Sequence, residues 1–277
     1  MDQSEKDNMS TGQLLRIQVF STSIFVISFL FVFVLSGLAF LYISSDLEVP
    51  ASLTLGKTQV IMSENSRFWT SDSIISIYST IPISCFLIGV FCLFAFHLNA
   101  KPGFTFLTAT IWTFIHAFNL SLGAVVIDLL SQTGFTKAAH EMGIETIMTI
   151  LIIGVSIFFM YKLGIFAARI FHDKIFKGFT SDKKFRNRLF MRFLILPWLV
   201  GTLLLLIISF PVNDYKSYLL PISALILILP TFFYEPKITK RKPVLSISEP
   251  KYSLPIIIIS IAALSAYFFV LRSGLSF

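Results

Sequence analysis

Charged side chains are scarce in this chain: 22 Lys and Arg with 15 Asp and Glu make up 13% of its 277 residues, against 55% hydrophobic ones. A soluble domain of that composition would expose far more apolar surface than water tolerates. Cysteine is nearly absent too. Cys85 and Cys92 lie in one apolar run, seven residues and so about 10 Å apart along a helix, which keeps them from pairing with each other. With no CxxC spacing they read as small packing residues and leave the redox compartment open.

The motifs of intramembrane catalysis are also missing. The two segments nearest to HExxH run His116-Ala-Phe-Asn-Leu and His140-Glu-Met-Gly-Ile, so the helical two-His site of a zinc protease is excluded. Leu120-Ser-Leu-Gly123 lacks the first Gly of a rhomboid-like Gly-x-Ser-Gly, and there is no Glu-Glu-x-x-x-Arg. No phosphate-binding Walker loop occurs, and the last apolar run contains no Lys for a retinal Schiff base. His116 falls near mid-membrane and His140 outside, and only the cytoplasmic His97 and His172 share a depth, which argues against a bis-His haem. No cofactor and no metal follow from these residues.

What is present is a series of seven apolar runs, near 20–43, 74–97, 104–130, 143–170, 190–210, 217–234 and 254–271, in a chain of mean hydropathy +0.82. Each approaches the ~20 residues that cross ~30 Å of hydrocarbon as a helix. Barrel strands would alternate polar and apolar residues over ~10 positions, and these runs do not. The expected fold is all-α, a polytopic transmembrane helical bundle of about seven spans in one domain. The first run follows Arg16 and exceeds the 7–15-residue core of a secretory signal, so it is read as a retained anchor. Span six, with Pro221 and Pro230 in 18 residues, and span seven are the two segments open to a re-entrant course.

Basic residues set the expected orientation. With a cytoplasmic N-terminus, sixteen Lys and Arg fall inside and five, Lys57, Arg67, Lys137, Lys216 and Arg272, fall outside, while Lys162 snorkels from span four. The C-terminus is then expected outside. The loop at 44–72 becomes the largest outer one, with room for a short interfacial helix anchored by Phe68 and Trp69. The loops at 171–189 and 235–253 become basic and cytoplasmic.

Three groups of residues are candidates for function. In span three, Trp112, His116, Asn119 and Gly123 share a stripe with Thr105 and Thr108, within about a third of the helix circumference. Such a stripe faces other helices, where His116 serves either as interhelical glue or as a proton-relay, ligand or catalytic group. Near the outer face, Asp128, His140, Glu141 and Glu145 form a possible cation or proton site, Glu141 and Glu145 being i,i+4 neighbours on a helix. The plainer reading is acidic residues at a helix N-terminus. On the cytoplasmic side, Lys174, Lys177, Lys183, Lys184, Arg186, Arg188, Lys240, Arg241 and Lys242, interleaved with Phe and Ile, suit contact with anionic lipid. The pI of 9.4 is thereby accounted for without nucleic acid.

The pattern Trp112-x-x-x-His116-x-x-Asn119-x-x-x-Gly123, then Gly134-Phe135 and Arg192-Phe-Leu-Ile-Leu-Pro-Trp198-Leu-Val-Gly201, resembles a family of uncharacterised multi-pass bacterial inner-membrane proteins. The resemblance covers spans three to five and implies a bacterial cytoplasmic membrane with no assigned activity. The leading functional expectation is a non-enzymatic membrane subunit or scaffold of an envelope complex, working with a membrane-protein partner or a second copy. The alternatives are a transporter or ion-coupled carrier using His116 and Asn119, and a membrane-embedded enzyme with an unfamiliar site.

Overall fold

The computed structural model describes residues 11–62, 66–98, 103–172, 183–210, 215–234 and 253–276. Seven of its helical segments are long and apolar enough to cross a membrane, and the fold is all-α, a helical bundle with a small sheet at one end. Span one is α1 (Thr11–Asp46), whose 36 residues reach about 54 Å at ~1.5 Å per residue, well beyond the hydrocarbon thickness. It is longer at both ends than its apolar run. Span two is α2 (Ser71–Leu98), and span three is built from α3 (Phe104–Phe118), a π-helical turn at Asn119–Gly123, and α4 (Ala124–Ser131). A short α5 (Phe135–Glu141) precedes span four, α6 (Thr146–Ile170).

Span five joins α7 (Lys183–Phe190), a second π-turn at Met191–Ile195, and α8 (Leu196–Ser209). Span six is broken into α9 (Tyr215–Ser223), α10 (Leu225–Ile228) and α11 (Pro230–Phe233), and span seven is α12 (Ser253–Arg272). The breaks have a local cause. Proline offers no N–H to the carbonyl four residues back and its ring crowds that carbonyl, so Pro197, Pro221 and Pro230 each disturb the ladder where they sit. For Pro197 the disturbed carbonyl is Phe193, inside the second π-turn.

The bundle is organised around α1 and span three. Of the most apolar eighteen-residue stretch of span three, 83% is buried, and of that in α1, 56%, whereas no other span exceeds 28%. Close approach within the bundle depends on small residues. A Cβ at Gly89 would strike the Phe118 ring, one at Gly201 would strike Phe25, and one at Gly164 would press on the Leu227 carbonyl. Spans two, five and four therefore sit directly on their neighbours at these points.

The loop after span one differs from expectation. In place of an interfacial helix it forms a hairpin, β1 (Ala51–Thr54) and β2 (Lys57–Val60), turned at Leu55-Gly56 with Gly56 at φ 75°. Phe68 and Trp69 lie in a turn, with Trp69 edge-on to Tyr78 at 6.0 Å. The other edge of β1 pairs with β3 (Leu275–Ser276), Ser52 opposite Ser276. The end of the first span and the end of the seventh thus meet on one face, called here the hairpin face. The hairpin folds back onto the bundle: Leu53 is fully buried over Gly37, and the Gly56 N–H donates to the Tyr267 hydroxyl at 2.7 Å.

Candidate functional site

Span three places Trp112, His116, Asn119 and Gly123 on the buried side, as the spacing predicts, and the first three each reach another helix. The Trp112 indole N–H donates to Ser21 Oγ at 2.9 Å, and Ser21 Oγ donates in turn to the Phe193 carbonyl at 2.7 Å. Phe193 is the carbonyl that Pro197 leaves without its usual donor, so a serine of α1 satisfies a gap made by a proline of span five. His116 Nε2 lies 3.1 Å from the Phe25 carbonyl, held by the Phe25 and Phe29 rings at 4.4 and 5.5 Å and by Trp112 at 6.0 Å. Asn119 Nδ2 donates to the Leu220 carbonyl at 2.8 Å, while its Oδ1 accepts from Ser223 Oγ at 2.7 Å.

Gly123 is part of the same arrangement. A Cβ there would occupy the space of Asn119 Oδ1 and Ser223 Oγ, so glycine leaves room for the bond between them. Trp198, in span five, completes the set by donating Nε1 to the Pro221 carbonyl at 3.1 Å. The two carbonyls at the break of span six, Leu220 and Pro221, are thus both covered by side chains from other helices. Thr108, further along the stripe, turns back to the Phe104 carbonyl of its own helix.

The second group of candidates does not assemble. Asp128 is buried at the end of α4, where its carboxylate receives Lys216 Nζ at 2.5 Å, the Phe135 N–H at 3.0 Å and Thr133 Oγ1 at 3.3 Å. Gly134, at φ +48°, passes so close that any Cβ would overlap this carboxylate. Asp128 therefore latches the turn after span three to the start of span six. His140 is exposed, with Nδ1 3.9 Å from Glu141 Oε1, and Glu141 accepts from Ser71 Oγ at 2.6 Å.

Glu141 and Glu145 are not on one helical face, contrary to expectation. Glu141 ends α5, Gly143 turns the chain at φ +69°, and Glu145 is the exposed N-cap of α6, with no side-chain capping bond. Among the described residues no three His, Cys, Asp or Glu side chains are grouped so as to hold a metal. The cluster reads as helix-end residues.

Of the lipid-contact candidates, Lys174, Lys177, Lys240, Arg241 and Lys242 lie outside the described residues, as do the side chains of Lys183 and Lys184. Arg188 is exposed and Arg186 half-buried on α7. His172, read from the sequence as part of this basic surface, is instead buried. Its Nε2 is 3.3 Å from the Thr231 carbonyl, and its ring stands edge-on to Phe190 at 4.9 Å.

Two cavities lie along span three. The larger, about 440 Å³, opens under the hairpin between Lys57, Gln59, Tyr78, Asp128, Thr133 and Lys216. The smaller, about 100 Å³, reaches inward to His116, Asn119 and Trp198 between the walls of Phe25, Phe29 and Leu205. Phe33, Gly56, Leu120, Ser217 and Leu220 line both, so the two are adjoining chambers. Neither chamber was legible in the sequence, because the walls of the smaller come from five spans and the hairpin, and those of the larger from four spans, the hairpin and the turn after span three.

Comparison with protein-family models, with curated proteins and with solved structures finds no match to this chain.

Proposed function

We propose that this multi-pass membrane protein is a non-enzymatic subunit or scaffold of a larger envelope complex. The observation that carries this reading is the use made of the span-three stripe. Trp112, His116 and Asn119 each spend a polar side-chain atom on another helix, which is the chemistry of assembly rather than of turnover. The broad apolar faces of spans four and seven, with Ile147, Phe158 and Phe269 more than half exposed, suit contact with lipid and with a membrane-protein partner or second copy.

Residence in a bacterial cytoplasmic membrane is supported by the resemblance of the span-three and span-five motifs to multi-pass inner-membrane proteins. A cytoplasmic N-terminus and an outer C-terminus are supported by the sixteen-to-five division of basic residues, which also supplies a surface for anionic headgroups. This orientation places the hairpin face outside. Maleimide labelling of single cysteines at Thr58 and Asn187, in a C85S/C92S background, checks it. In intact cells Thr58→Cys labels and Asn187→Cys does not, and the reverse pattern overturns the orientation.

The decisive experiment is purification of the tagged protein at native level in gentle detergent, with mass spectrometry and elemental analysis of what co-elutes. Stoichiometric membrane-protein partners, retained in His116→Gln, are the expected result. A monodisperse protein alone, carrying a metal that His116→Gln removes, overturns it. The second reading, a carrier, is favoured by one observation, the two adjoining chambers that lie between the hairpin face and His116. In a carrier, His116→Gln abolishes transport while leaving the fold intact.

A further inference from the structure

The geometry points to a binding site for a single-chain amphiphilic anion of the fatty-acid class, its acid group in the chamber under the hairpin and its chain in the inner chamber beside His116. This inference stands on the cavities and does not depend on whether the protein is a subunit or a carrier. The larger chamber falls in the ~300–1,000 Å³ range of small-molecule sites, and polar groups are concentrated in it rather than in the inner one.

The charge of the outer chamber selects the head group. Lys57 and Lys216 face one aspartate, Asp128, whose carboxylate is already occupied by Lys216, the Phe135 N–H and Thr133. A Lys ammonium has three donors, so Lys216 keeps hydrogen-bonding capacity beyond its bond to Asp128. Lys57 has no carboxylate pairing with it among the described residues. An acid group placed between the two lysines makes charge-assisted hydrogen bonds that a cation or a neutral head cannot make.

The inner chamber selects the rest. Its walls are Phe25, Phe29, Ile115, Leu205 and Leu206, and the carboxamide of Asn119 and the Nε2 of His116 are engaged with backbone carbonyls. The lining is mostly apolar, with the hydroxyls of Thr202, Ser209, Ser217 and Tyr267 as its remaining polar groups, so an alkyl chain gives up less on entering than a polar ligand that must lose its water. The small volume of the inner chamber, which meets the outer one at Phe33, Gly56 and Leu220, suits one chain rather than the two of a phospholipid.

The test uses the full-length protein in detergent with cis-parinaric acid, a fluorescent single-chain carboxylic acid, as probe, and hexadecanoic acid and hexadecanol as competitors. The probe binds saturably, and the acid competes about tenfold better than the alcohol, the difference made by one charge-assisted contact. Lys57→Gln removes that preference. Leu206→Trp and Thr202→Phe, which fill the inner chamber, each weaken probe binding by about tenfold or more while the protein stays monodisperse. Absence of saturable binding overturns the proposal, as does equal competition by acid and alcohol in the wild type, which needs no variant to fold. Unchanged binding in a folded chamber-filling variant overturns the placement of the chain.

Discussion

Span three and span seven are both apolar enough and long enough to cross a membrane, at 28 and 19 residues, yet 83% of the apolar stretch of one is buried and 17% of that of the other. Span seven carries no His, Asn or internal Gly between Leu254 and Leu271, while span three carries His116, Asn119 and Gly123. In water the apolar helix would be the buried one. In a bilayer the lipid is as apolar as leucine, so the helix with polar and small residues goes to the centre, where hydrogen bonds and close packing hold it.

That contrast can be broken by substitution on either side of it. The largest effect is expected from Trp112→Ala, which opens a cavity at a fully buried position and removes the donor to Ser21; it should cost about 3–5 kcal/mol in reversible unfolding from lipid bicelles. Asn119→Leu deprives the Leu220 carbonyl and Ser223 of their partner and should cost about 1–2 kcal/mol by the same measurement. His116→Phe, which keeps the ring stack and loses one bond to the Phe25 carbonyl, should cost about 0.6 kcal/mol. Phe269→Ala in span seven, at a side chain 74% exposed, should stay within about 0.5 kcal/mol of wild type. If Phe269→Ala costs as much as Trp112→Ala, span seven is covered by something other than lipid, and the contrast between the spans is one of partner rather than of burial.

The same contrast explains what could be read before the structure. Run length is sufficient for a spanning helix because the bilayer leaves the backbone no other way to satisfy itself, so the seven spans were visible. The stripe on span three was visible for a related reason, since helical spacing puts Trp112, His116, Asn119 and Gly123 on one side. Their partners were not visible. Ser21, the Phe25 carbonyl and Leu220 lie in other spans, and neither carbonyl that accepts a side chain has any residue-type signature. The latch from Asp128 to Lys216 joins residues with no local relation, so the sequence grouped Asp128 with the wrong acids. The hairpin was missed because strands of four residues in a polar loop carry too little alternation to register, and β3 has only two residues.

The pairing of β3 with β1 has a consequence for biogenesis. Translation makes the hairpin just after the first span, but its third strand only after the seventh, so the sheet is completed only once all seven of these spans have been made. Until then the free edge of β1 is a row of unpaired backbone groups, open to any extended segment nearby. A fusion placed directly after β3 is therefore, in space, a fusion beside the first loop, and its effects should appear there before they appear in the helices.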